Sequence, residues 1–285
     1  MEISELIKRI KKVQLVSKKI VNTIFLGGYH STFKGQGLEF SEVRQYVYGD
    51  DIRMIDWNVT SRTNSPHIKL MQEERELNIY ILIDNCSSML FGSKRSKKDL
   101  ALELAAIFSY SASINNDKVG AIIFSKNSEV VIPPKKGKGQ SFKIIRAAID
   151  ANKNVYNDSS SLDKAIEEVL IQAKKKSIII LISDFLNDEY HKGFKILSSK
   201  HQVIPILIKD EIEDIKLKEI PTYKGLSNKT SNTKKMFTSI SDDYKQKYEE
   251  ASKLFKQCNT KPIILLNNDN YFKTIQGYFS WKKYL

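Results

Sequence analysis

The sequence predicts an α/β protein, a mostly parallel sheet with helices on both faces, carrying an N-terminal helix and a small β-rich extension. Three observations support this. Continuous apolar runs at 77–83, 177–182 and 202–208 read as strands buried on both faces. Segments with helical apolar spacing alternate with those runs, the order of a parallel sheet with crossover helices. Two runs also break abruptly into oxygen-bearing side chains, Asp84, Ser87 and Ser88 after the first and Ser183 and Asp184 after the second. Open α/β sheets place their ligand sites just beyond the carboxyl ends of such strands.

The elements follow in order. Residues 3–25 space Ile3, Leu6, Ile7, Ile10, Val13 and Val16 among lysines, an amphipathic helix ending at Gly27-Gly28. Such a helix packs on its own domain, docks a partner, or makes peripheral membrane contact. Residues 28–73 are polar and aromatic, with strand candidates at 38–40, 43–47 and 68–71. From 77 the pattern becomes regular. Strands are predicted at 77–83, 118–124, 177–182, 202–208 and 262–266, with a hairpin arm at 128–132 before a loop holding Pro133-Pro134. Helices are predicted at 97–114, 140–150, 162–175, 189–199, 241–258 and 270–283. Residues 210–240 read as a basic connector with short strand candidates at 221–226 and 234–238. The division is thus 1–76 as an extension and 77–285 as the α/β domain.

The 285 residues carry a net charge of +13, which permits an acidic partner. The charge comes mostly from lysine in scattered groups, among them Lys94-Arg95-Lys97-Lys98, read as solvated surface. Two cysteines make no disulfide framework or Cys/His metal pattern and suit a reducing compartment. There is no secretory signal and no apolar stretch of the roughly 18 residues a span requires. A cytoplasmic location follows as the expectation.

Asp84, Cys86 and Ser88 on one loop, Ser160 on a second and Asp184 on a third form a candidate oxygen-rich site for a hard divalent cation. Asp84-x-Cys86-x-Ser88, Ser160 and Asp184 resemble the metal-ion-dependent adhesion site (MIDAS) of von Willebrand factor A domains, patterned Asp-x-Ser-x-Ser, then Thr, then Asp. A longer motif runs through Glu39, Arg44, Tyr46, Asp50, Asp51, Arg53, Asp56, Trp57 and Arg62. It resembles bacterial proteins catalogued as "domain of unknown function 58", and the likeness continues through Asp210-x-x-Glu213 and Tyr244. The resemblance implies a von Willebrand A-like domain and a MoxR-type AAA+ ATPase as partner in protein or complex maturation. It also implies Mg²⁺ or Mn²⁺ as the ion, completed by a partner's carboxylate. Cys86 stands where the adhesion motif has Ser. A neutral thiol is a weak donor and a weak acceptor, so binding is expected to be weak or absent. For the motif in 39–62, a structural lattice of ion pairs and a partner-binding surface both remain open.

The leading reading is therefore a non-enzymatic interaction module. One alternative is a metal-dependent hydrolase or nuclease using Asp84 and Asp184. It lacks a general base beside the loops, since His30, His67, His191 and His201 are scattered. Another is nucleic-acid binding through the basic surface, but no clustered arginine with interleaved aromatics supports sequence-specific recognition.

Overall fold

A computed structural model describes residues 38–73, 77–93, 95–126, 129–153, 161–186, 189–210, 213, 230–267 and 271–282. Helix 3–25, Ser160 and the strand candidate 221–226 lie outside these residues. The chain divides into two compact units at the boundary between Leu77 and Asn78.

The smaller unit pairs β1 (Leu38–Gln45) antiparallel with β2 (His67–Glu73). A bulge between Phe40 and Glu42 shifts the register. A 3-10 turn (Ile52–Met54) and helix α1 (Trp57–Thr63) lie between the strands. Asp56 caps α1 by accepting the Asn58 and Val59 N–H groups, satisfying donors that a helix start leaves unpaired.

The larger unit is built on a six-stranded sheet. Its strands are β3 (Asn78–Asp84), β4 (Lys118–Phe124), β5 (Glu129–Lys135), β6 (Ile178–Ser183), β7 (Gln202–Lys209) and β8 (Ile263–Leu266). Their order is β5-β4-β3-β6-β7-β8, and every neighbour pair is parallel except β4–β5. Ile79 to Ile83 are all buried, as a central strand covered on both faces requires. Alternation sends Tyr80 and Leu82 to one face. There they join a core with α4 (Leu162–Gln172), α5 (His191–Lys200) and α6 (Thr230–Gln257). Ile79, Ile81 and Ile83 face the other side, where α2 (Lys97–Ile114) lies on β3 and β4 and α3 (Lys138–Lys153) on β4 and β5. Helix α7 (Tyr271–Lys282) packs against β8. This is a mixed α/β sheet flanked by helices on both faces, as the sequence predicts.

Two local expectations are overturned. Pro133-Pro134 belongs to strand β5 rather than to a loop. Proline is tolerated there because β5 is the edge strand, with no partner requiring its missing N–H. Gly120 makes room for it: a Cβ there would sit 2.7 Å from the Ile132 carbonyl oxygen and 2.9 Å from the Pro134 nitrogen. Residues 234–238 are helical, not a strand, and α6 starts at Thr230 rather than at a Ser241 cap. Met236-Phe237 looks like a strand fragment alone. With Ile240, Tyr244, Tyr248 and Ala251 it continues a helical repeat.

Candidate functional site

The site stands at the carboxyl edge of the sheet, where β3 and β6 run side by side. Asp84 is the last residue of β3, and Asp184 directly follows Ser183, the last of β6. The Ser183 hydroxyl donates to Asp84 Oδ2 at 2.6 Å and the Cys86 N–H donates to Oδ1 at 3.1 Å. One carboxylate thereby ties together two strand ends and fixes the turn after β3. Burial, then the nearby Asp184 charge, pushes the Asp84 carboxyl up to about 6.

Cys86 precedes a 3-10 turn (Ser87–Leu90) that returns Ser88 towards β6. Ser88 Oγ donates to Asp184 Oδ2 at 2.7 Å and lies 3.0 Å from Cys86 Sγ. A serine hydroxyl has one proton. That proton goes to Asp184, and the thiol proton has two acceptors within reach, Ser88 Oγ and the Asp84 carboxylate. Burial and the charges of Asp84 and Asp184 keep the thiol protonated by raising its pKa far above the ordinary range.

Asp184 is followed by Phe185 at φ 54°, a left-handed conformation costing a non-glycine residue about 1–2 kcal/mol. The Phe185 N–H donates to Ser183 Oγ at 3.0 Å. Its ring packs edge-on against Phe255, centroids 5.1 Å apart, so core burial holds the strained turn that presents Asp184.

The sequence reading assigned no role to the residue that dominates the electrostatics. Lys97, the first residue of α2, is only 1% exposed. Its ammonium donates to Asp184 Oδ2 and to Glu213 Oε1, each at 2.8 Å. Burial pulls its pKa down, but the two carboxylates outweigh that and leave it above the usual lysine range. Glu213 Oε2 accepts the Tyr248 hydroxyl at 2.6 Å and the Asp210 N–H at 3.1 Å. Asp210 in turn accepts the Ser93 N–H at 2.9 Å, anchoring the loop before α2. The neighbouring Lys98 is 4% exposed, and its Nζ has no hydrogen-bond partner among the described residues. Burial draws its pKa down to about 8, against the attraction of Cys86, Asp84 and Asp99. Reading Lys97-Lys98 as solvated surface is therefore wrong. Two strand ends and a loop surround them with carboxylates that repay part of their desolvation. Lys97, Lys98 and Tyr248 had no sequence signal of their own, whereas Ser183 stood out at the end of its apolar run and Asp210 and Glu213 were part of the family motif.

The structure brings Asp84, Cys86, Ser88 and Asp184 together; Ser160 lies outside the described residues. The motif residues of the smaller unit hold its own turns. Arg44 makes a two-pronged bond to Asp50 at 2.9 and 2.7 Å, and Asp50 also accepts the Val47 N–H at 2.8 Å. Arg44, and then the Val47 N–H, hold the Asp50 carboxyl below its ordinary range. Asp51 caps the 3-10 turn and pairs with Arg53 at 3.2 Å; Asp56 pairs with Lys69 at 3.5 Å. Glu39 lies on β1 and Tyr46 just beyond it. Arg62, in the last turn of α1, is exposed. Trp57 is 69% exposed and Tyr48 97%.

One ligand atom from each of Asp84, Cys86 and Asp184 lies within 4.8 Å of the others, so the cluster could coordinate a divalent cation. The donors do not fit a resident hard cation as arranged. Mg²⁺ demands near-octahedral oxygen donors, and here one ligand is a neutral thiol. Asp184 Oδ2 already accepts two donors, one of them an ammonium.

Sheet order, two-sided helical cover and a degenerate, cysteine-interrupted Asp/Asp cluster at the carboxyl edge define a von Willebrand factor A-like domain. The chain belongs to the family described as protein of unknown function DUF58, whose model matches residues 42–256. The uncharacterized proteins Rv1480 of Mycobacterium tuberculosis and Mb1516 of Mycobacterium bovis are each 26% identical over 213 residues, 74% of this chain and 67% of theirs. Among solved structures, the conserved hypothetical protein BatB of Bacteroides thetaiotaomicron is 17% identical with a TM-score of 0.44, covering 73% of this chain and 100% of that one. The SpRpn10 VWA domain is 15% identical with a TM-score of 0.35, covering 47% and 76%. No helix among the described residues is long and apolar enough to cross a membrane.

Proposed function

We propose that this chain is a non-enzymatic protein-interaction module whose contact is the carboxyl edge bearing Asp84, Cys86, Ser88 and Asp184. The observation that supports this most is the convergence of Asp84 and Asp184 at the turn Ser87–Leu90, which ends in the exposed side chains of Leu90 and Phe91. The polar groups beneath are bonded to one another, which suits a rigid platform more than a site that must move protons. The family resemblance supplies the partner: a MoxR-type AAA+ ATPase, or a client it matures, in the cytoplasm. Any divalent ion would be Mg²⁺ or Mn²⁺, held weakly or not at all.

The test is co-purification of the tagged chain with a MoxR-type ATPase from the native organism. Wild type should enrich the ATPase, and Phe91→Ser and Leu90→Ser, both at exposed positions, should lose it while circular dichroism stays unchanged. Equal recovery by all three chains would remove this edge as the contact.

A further inference from the structure

We propose that Lys97 is the resident cation of this site: its ammonium, between Asp184 and Glu213, neutralises Asp184, one of the two carboxylates that an adhesion-type site would present to a divalent metal. The proposal rests on reading this edge as an adhesion-type site, but its test needs no partner, so the two can fail separately.

Four observations lead to it. The first is position. Lys97 Nζ stands 2.8 Å from both carboxylates and is closed off from solvent. The second is that every carboxylate oxygen is already engaged. Asp184 Oδ2 takes Ser88 and Lys97, its Oδ1 takes the Leu186 N–H at 3.4 Å, and Asp84 takes Ser183 and Cys86. A metal ion on Asp184 Oδ2 would have to displace one of its two donors.

The third is that the lysine's surroundings are built for it. Glu213, the carboxylate beyond Asp184, is buried and held by Tyr248 from α6 and by the Asp210 N–H. Asp210 is held in turn by Ser93 and Asn267. The fourth is that the positive charge stands where a helix tolerates it poorly. Lys97 and Lys98 open α2, where the helix dipole favours negative groups. The facing carboxylates, with Asp99 in the first turn of α2 beside Lys98, offset the charge of the two buried ammonium groups at that end. Lys98, beside Asp84 and Cys86 and without a hydrogen-bond acceptor among the described residues, adds a second charge that repels an incoming cation. Ser88, 3.0 Å from the Cys86 sulfur, donates to the same Asp184 oxygen as Lys97. A neutral thiol beside this pair adds no charge to it, and it need not be read as a damaged ligand.

An internal cation makes the contact surface independent of metal supply. It also removes the open coordination position, since an ammonium buried between two carboxylates cannot be completed by a partner's carboxylate. Recognition at this edge then falls to Leu90 and Phe91, exposed at the end of the turn that carries Ser88.

The experiment is thermal denaturation of chelator-treated protein against MgCl₂ and MnCl₂, for wild type, Lys97→Met and Lys97→Met/Cys86→Ser. Wild type should keep its midpoint up to about 10 mM of either salt. The variants should gain a saturable, cation-dependent rise, larger in the double variant, whose serine restores a hard ligand. If Lys97→Met does not fold alone, refolding with and without about 10 mM cation gives the same reading. A saturable rise in wild type with a Kd tighter than about 1 mM overturns the proposal. So does a Lys97→Met chain that neither cation stabilises or refolds.

Discussion

The molecule uses Lys/Arg–carboxylate pairs in two regions, to different ends. In the smaller unit the pairs Arg44–Asp50, Arg53–Asp51 and Lys69–Asp56 are at least partly open to water. Their acids also cap a 3-10 turn and a helix. Solvent screens such pairs, so their contribution is geometric: they fix which way a short, core-poor segment turns. At the carboxyl edge of the sheet, Lys97, Asp184 and Glu213 are closed to solvent. There the pairing offsets a large desolvation cost, and removing one partner strands the others. The same chemistry shapes the surface in one region and determines stability in the other.

The largest effect expected from breaking this contrast is at Lys97. Lys97→Met leaves Asp184 and Glu213 buried with like charges and should cost about 3–5 kcal/mol in urea denaturation. A loss below about 1 kcal/mol would mean that the edge is wetter than the structure shows.

Next comes Lys98, where the sign reverses. Its pKa is about 8 in the folded chain against an ordinary 10.5. Below pH 8 both states carry the proton, and the folded state bears the full burial penalty. Between 8 and 10.5 the unfolded chain binds more protons, so stability rises with pH. Lys98→Met should therefore stabilise the protein by about 1–3 kcal/mol at neutral pH and remove that rise. Denaturation midpoints across pH 7 to 11 check both, and a destabilised variant would show an unseen partner for the ammonium.

The smallest effect belongs to the exposed pairs. Arg44→Ala should move the midpoint slightly, and less in high salt than in low. Hydrogen exchange in 44–56 should report the loosened turn. A salt-independent loss as large as that of Lys97→Met would erase the distinction between the regions.

What the sequence disclosed follows the same division. The central strands were legible because five or more consecutive apolar residues, as in Ile79–Ile83 and Ile178–Ile182, have few alternatives to a doubly covered strand. Asp84 and Asp184 were legible because each ends such a run. Lys97 and Lys98 were not, since lysine is almost never fully buried unless paired. The acids that bury them, Asp184 and Glu213, lie 87 and 116 residues away along the chain. Pro133-Pro134 misled because its tolerance depends on β5 being an edge strand, which no local pattern reveals. Helix α6 was truncated because its apolar positions before Ser241 are sparse.

The central claim is that Lys97 and Asp184 neutralise one another inside the fold. A double-mutant cycle with Lys97→Met, Asp184→Asn and the combined variant, followed by urea denaturation, tests it directly. The account predicts strong coupling, with the double variant more stable than the sum of the single losses by well over 1 kcal/mol. Single losses that add to within about 0.5 kcal/mol would contradict it.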